Sequence, residues 1–344
     1  MPLNVELSSL GDLYMYHHYI ALDWAQRNMA IARMTPKSKE IKTMDVPSDI
    51  GFLKDYLRML KGKKILCFEE TTTAHWLFTE LRDLVSEVVV CDPYRNHLLS
   101  EGAKTDTIDA SKLVMLLRAG LLKPVYHGAD HLMSLRRVVS TYDDLIQRGV
   151  RLKNQRSALL RAVGKSKTDT ITGGDEAFLI DRIDSAISQF EEDRKIYLDL
   201  FAKAAKRYRP IQRLRAIPGI GVIGAVKLYA AIIDTKRFHH INNYLAYCGL
   251  VRIDKLSGGR SYGSRKPRHR RQLKAIFKTA ALSAITSQNE FNDYYHYLVK
   301  QKRYPNHIAR HATARKIAVA AFGVLNSEKN YKPEKIGALK VLSN

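Results

Sequence analysis

The sequence predicts an α/β domain built on a mixed sheet, followed by a largely helical chain. Two observations carry this. Short β-like runs alternate with amphipathic segments only in the first third. Beyond it, apolar residues recur at alternating three- and four-residue spacing, the period of a helix face.

The elements follow in order. Tyr19-Ile20-Ala21-Leu22-Asp23 is a β-like run ending in a carboxylate. Met29–Met34 and Lys39–Met44 read as two further strands, close enough to make a meander with the first. Ser48 is placed to cap an amphipathic helix through Leu60, with Ile50, Leu53, Leu57 and Leu60 on one face. Lys64–Phe68 is a buried strand running into Glu69-Glu70. A helix from Thr73 to Leu84 and a strand over Val88–Cys91 come next. The order βββαβαβα describes an α/β domain, expected over residues 15–125.

Its last helix is announced by Lys104-Thr105-Asp106-Thr107-Ile108-Asp109-Ala110, after an irregular Ser100-Glu101-Gly102. On a helix, Asp106 and Asp109 share one face with Cβ atoms roughly 5–6 Å apart. Two carboxylates so placed can bind a hard cation through oxygen. The same residues suit capping, with Thr105 or Asp106 as N-cap and acid in the first turn. Both readings stand on these residues alone. Asp23 and Glu69 fall at strand ends, where they would join this pair if strands one and four are neighbours. Glu70 competes with Glu69, and spacing does not separate them. Lys167-Thr168-Asp169-Thr170-Ile171 repeats the start of the motif, but Thr172 replaces the second carboxylate, so Asp169 is expected to be a loop residue and no ligand.

Residues 126–207 are expected as a helical spacer. Leu135, Val138, Tyr142, Leu145, Gly149 and Leu152 form one stripe. Ile180, Ile183, Ile187, Phe190, Tyr197 and Phe201 form a second, after a Lys/Gly-rich break. This predicts an antiparallel hairpin or a dimerising coiled coil. Its basic flanks, among them Arg148, Lys153 and Arg156, suit either a phosphate backbone or solvent.

Residues 208–328 are expected to be mainly α. Pro218-Gly219-Ile220-Gly221 lies between two helical segments and resembles a helix-hairpin-helix turn. There Gly219 and Gly221 would allow backbone N–H groups to meet a phosphate. From Arg252 to Lys274 one acid, Asp254, stands among a run of basic residues. Arg260, Arg265, Lys266, Arg268, Arg270 and Arg271 are the candidates for nucleic-acid contact. Within this run, Leu256-Ser257-Gly258-Gly259 sets a serine in what reads as a flexible loop, where arginines would steady a phosphodiester.

Composition bounds the function. Lys and Arg number 57 against 34 Asp and Glu, a net charge of +23 that asks for a polyanionic partner, most economically nucleic acid. The three cysteines are widely spaced among apolar residues and show no zinc spacing. No signal peptide and no apolar run of about 18 residues is seen, so a soluble protein of the cytoplasm, associated with the nucleoid and not with membrane, is expected.

Taken together, Ala-Leu-Asp23, Cys-Phe-Glu69-Glu-Thr-Thr-Thr and Lys-Thr-Asp106-Thr-Ile-Asp109-Ala resemble the DEDD transposases, the insertion-element recombinases and related pilin-gene invertases. Trp24 and Thr73-Ala74 depart from the usual pattern without removing a carboxylate. The resemblance implies an RNase H-like (RuvC-like) N-terminal domain. In it Asp23, Glu69, Asp106 and Asp109 would hold two Mg²⁺ ions for phosphoryl transfer. Tyr247-Cys-Gly-Leu250 through Ser257-Gly258 resembles the family's second domain, which makes Ser257 the implied nucleophile in a site completed between subunits. The family further implies DNA as partner, a structured guide (bridge) RNA in many members, and a homo-oligomer, a dimer or tetramer. Two rivals remain: a metal-dependent junction resolvase or nuclease that activates water, and a non-enzymatic basic architectural protein.

Overall fold

The computed structural model describes residues 16–93, 105–127 and 132–333. Lys104 of the acidic motif, the Ser100–Gly102 segment and residues 334–344 lie outside them. The chain divides at residue 128 into two compact units.

In the first unit, β1 (His18–Trp24), β2 (Asn28–Met34) and β3 (Lys42–Pro47) form an antiparallel meander. After α1 (Ile50–Met59), β4 (Lys64–Glu69) adds parallel to β1; after α2 (Ala74–Leu81) and a 3-10 turn, β5 (Glu87–Cys91) adds parallel to β4. The sheet order β3-β2-β1-β4-β5 makes β1 and β4 central neighbours. The final helix of the unit is α3 (Asp106–Arg118). The predicted sequence of elements is therefore present, with two corrections. The third strand begins three residues later than expected, because pairing Ile31 with Met44 and Met29 with Val46 turns these side chains onto a packed face. The first helix is capped by Asp49, not Ser48. The Asp49 carboxylate accepts from Gly51 N at 2.6 Å and Phe52 N at 3.1 Å, while the Ser48 hydroxyl donates to Ala25 O.

Strand alternation splits the core between the two faces of the sheet. Tyr19, Ala21, Ile65 and Cys67 face α3, packing with Ala110, Leu113, Val114 and Leu117. Ile20, Leu22, Leu66 and Phe68 face α1 and α2, against Leu53, Leu57, Leu77 and Leu81. All of these are buried, so a shift of one residue would exchange the two packed rows and mismatch both with their helices.

The second unit opens with two long antiparallel helices, α4 (Met133–Ala162) and α5 (Gly174–Arg207). Tyr142 packs on Phe201 (4.9 Å between rings), and Gly149 lies where a Cβ would meet the Phe190 ring at 2.4 Å. Arg148, Lys153 and Arg156 pair with Asp193, Glu191 and Asp184 on the facing helix, so these flanks serve the hairpin itself. Asp169 sits in the connecting loop and accepts from Ser166 N at 2.8 Å. Helices α6 (Arg209–Arg215), α7 (Val222–Ile232) and α8 (Ile241–Tyr247) follow, then strands β6 (Ile253–Ser257) and β7 (Arg260–Arg265). The chain continues in α9 (Arg271–Ala284), α10 (Glu290–His296), a π-helical turn over Tyr297–Gln301 and α11 (Asn306–Ser327). Leu135, Tyr142 and Phe201 of the hairpin share one hydrophobic cluster with Leu214, Val226, Tyr244, Phe277 and Ile317. Among the described residues, no helix is long and apolar enough to cross a membrane.

Candidate active site

Asp23 follows Leu22 in β1, and Glu69 follows Phe68 in β4. Leu22 and Phe68 are register partners, so the two acids come at the same step beyond the last pair. By alternation they continue the rows Tyr19, Ala21 and Ile65, Cys67, which face α3. Asp106 and Asp109 occupy the first turn of that helix. Its cap is Thr105, whose hydroxyl accepts from Ile108 N at 3.3 Å. Thr105, one of the two expected caps, fills that role with both aspartates in the first turn, so capping does not consume the carboxylates of Asp106 and Asp109.

The electrostatics report the same convergence. The Asp23 carboxyl is pushed up to about 6, first by burial and then by the negative charges of Asp106 and Asp109. Glu69 is raised by burial, then by Asp23, Asp109 and Asp92. None of the four forms an ion pair among the described residues, in a chain of net charge +23. Side chains that penalise one another's ionisation, and that no cation of the protein relieves, are the donor set a divalent metal fits. Among the described residues no three such side chains are already drawn together into a ligand cage. The fit rests on the chemistry and the convergence of the four.

Glu70 goes elsewhere. It hydrogen-bonds the ring Nε2 of His127, whose side chain is 6% exposed and stacks 6.0 Å from His75 and 5.5 Å from Phe78 of α2. Spacing leaves Glu69 and Glu70 open; the period of the strand places Glu69 with the aspartates. Trp24, one residue beyond Asp23, packs edge-on against Trp76 at 5.4 Å on the α2 side, so its bulk stays out of the acidic group. Two residues escaped the sequence reading. Asp92 carried a signal, since Val-Val-Val-Cys-Asp92 is again a strand ending in a carboxylate. His127 carried none, lying 57 residues from its partner.

Ser257 belongs to the second unit and departs from the expected flexible loop. It is the last residue of β6 and pairs with Arg260 across the turn Gly258-Gly259. Both glycines have positive φ, 55° and 75°, the conformation of a two-residue hairpin that other residues adopt at a cost. The Ser257 hydroxyl is exposed and has no hydrogen-bond partner among the described residues. Arg265 closes β7, and Lys266, Arg268 and Arg270 lead into α9, whose first residue is Arg271. The two predicted glycines differ. Gly219 has φ 87° and a Cβ there would meet Ala280 O at 2.1 Å, so it is required for packing against α9. Gly221 is exposed, faces open space and is the N-cap of α7, leaving the first-turn amides accessible.

Two family models match the chain. A DEDD transposase model of the IS110 group matches residues 20–164, and the Transposase IS116/IS110/IS902 family matches residues 211–296. The chain is also similar to a transposase for insertion sequence element IS1111A from Coxiella burnetii. That match is 34% identical over 77 residues, 22% of this chain, and spans 19% of the relative's length. With the acidic segment matched by one model and the Ser257 segment by the other, the chain belongs to the DEDD transposases of insertion elements.

Proposed function

We propose that this chain is a DNA recombinase that cuts and rejoins strands by transesterification, with Asp23, Glu69, Asp106 and Asp109 as the metal-binding group and Ser257 as nucleophile. The observation that carries it is the convergence of four carboxylates, unpaired among the described residues, on one face of the sheet: burial and then Asp106 and Asp109 raise Asp23, and burial and then Asp23 and Asp109 raise Glu69. The central parallel pair β1 and β4 supports an RNase H-like (RuvC-like) reading of the first unit. Magnesium, two ions for four carboxylates, would supply charge neutralisation at the reacting phosphate.

The protein's own groups do the rest. Ser257 Oγ forms the bond to phosphorus as the bond to the leaving strand oxygen breaks, and the serine proton ends on the leaving hydroxyl. Attack by a strand hydroxyl on the phosphoserine restores the phosphodiester and the serine. Arg260, beside Ser257 in register, holds the phosphate and steadies its developing charge. Gly221 and the first turn of α7, read as a helix-hairpin-helix with α6, hold a backbone phosphate without reading sequence. The excess of basic residues supports a guide RNA as a second polyanion, and a homo-oligomer is the expected working form.

One observation favours a second reading. The Ser257 hydroxyl has no hydrogen-bonded base among the described residues, as a metal-dependent nuclease with a bystander serine would have it. The two part on supercoiled DNA carrying the element's ends, with Mg²⁺ and the flanking transcript. A covalent protein–DNA adduct lost in both Ser257→Ala and Asp109→Ala is the expected result. Cleavage without adduct, indifferent to Ser257→Ala, would establish the nuclease.

A further inference from the structure

We propose that a pocket in the second unit receives a single unpaired nucleotide from a bound nucleic-acid strand. It lies between α4, α7 and α9 and encloses about 280 Å³. That is the low end of ligand pockets, roughly 300–1,000 Å³, and matches one nucleotide unit better than a longer segment.

Its walls are cationic. Arg136 and Arg137 reach it from α4, Lys227 from α7, and Arg270 from the start of α9. Asp143 is the acid among the lining residues, and its carboxylate is bonded to Lys227 with both side chains less than a fifth exposed. The guanidinium groups of Arg137 and Arg270 stand apart from this pair. Arg137 and Arg270 form no ion pair among the described residues. Planar guanidinium groups bind phosphate in a fork and stack on bases.

Its floor is apolar. The buried Ala230 and Leu273 line it with Val139, Ala231 and Ile276. An inorganic phosphate would use the arginines and leave this floor in contact with water. An intact duplex would meet the rim and leave the interior empty. A nucleotide turned out of its stack satisfies both, with the base on the floor and the phosphate among the arginines. Gln272 and Ser140 add hydrogen-bonding groups at the edge. The choice of a nucleic acid rests on the recombinase reading and on the continuity of Arg270 with the basic run after β7.

Fluorescence anisotropy of the full chain, without divalent metal, tests it with two DNA duplexes that differ by one unpaired nucleotide. The bulged duplex is expected to bind about 10-fold tighter, the scale of one stacked base. Ser140→Trp, which fills the pocket from an exposed position on α4, abolishes that preference. Arg137→Ala, which adds no bulk, reduces the preference in the same way. A wild type without preference overturns the proposal, as does a preference that survives both variants. Strand cleavage separates the two claims. A preference intact without cleavage supports the pocket and removes the recombinase; cleavage intact without preference removes the pocket alone.

Discussion

The two regions that carry the proposed chemistry are built in opposite ways. The acidic group grows out of a core. Asp23 and Glu69 stand one residue beyond Leu22 and Phe68, which are 1% and 2% exposed, and their directions are set by a buried sheet. The Ser257 hairpin has no core at all. All five residues of β6 are exposed, and its strands are held by their own pairing across a Gly-Gly turn. A two-stranded hairpin of this kind is marginally stable by itself. The difference teaches where each geometry comes from. The carboxylates are aimed by the folded sheet at the cost of mutual repulsion, whereas the fold gives the exposed serine no such surroundings.

The largest expected effect sharpens this contrast at adjacent residues. Glu69→Gln should lower strand cleavage on the order of 10³-fold, a typical loss when a charge-stabilising group is removed from a reacting centre. Glu70→Gln, which removes the bond to His127, should lower it by less than about 10-fold. Equal losses in cleavage assays would mean that strand alternation does not select the ligand.

Next comes the packing of the second unit. Gly219→Ala should destabilise it by about 2–4 kcal/mol, from a left-handed φ together with a collision with the Ala280 carbonyl. Gly221→Ala, in open space, should cost less than about 0.5 kcal/mol. Urea titrations decide this, and a Gly219→Ala protein as stable as wild type would refute the close approach to α9.

The acidic group has a pH signature with a definite sign. Asp23 ionises near 6 in the folded chain and near 3.8 when unfolded, so the folded state holds the proton more tightly. Its contribution to stability therefore falls as pH rises through that window. Relative to Asp23→Asn, the wild type should lose stability between about pH 4 and pH 6 without metal, and Mg²⁺ should shrink the gap. Denaturation midpoints that track together across this range would show that the carboxylates neither crowd nor desolvate one another. The smallest effect belongs to the hairpin. Ser257→Ala should move stability by less than about 0.5 kcal/mol, because the side chain touches nothing that folding buries. A larger loss by calorimetry would show that the serine has a structural partner.

Much of the acidic site was legible from residues alone. The strand ending in Asp23, the strand ending in Glu69 and the Thr105-Asp106-x-x-Asp109 helix start are local patterns, and local patterns survive folding when their periods agree with the burial they create. The start of the third strand is ambiguous in sequence because Ile41 and Met44 offer competing apolar starts, and only pairing with β2 chooses between them. Ser48 and Asp49 both suit the cap of the first helix; the serine is taken by the carbonyl of Ala25, 23 residues away in the chain.

The sequence by itself determined the alternation of strands and helices in the first unit, the two apolar stripes of the α4–α5 hairpin and the basic character of the segment around Ser257. These are properties of spacing and composition, which a chain carries before it folds. The tertiary structure alone decided that Glu69 and not Glu70 joins the aspartates, that Thr105 releases Asp106 from capping, and that Gly219 serves packing while Gly221 faces outward. It also decided that Arg136, Arg137, Lys227 and Arg270 line one pocket. Each of these depends on groups brought together from distant positions, where register and burial choose between residues that local chemistry leaves equivalent.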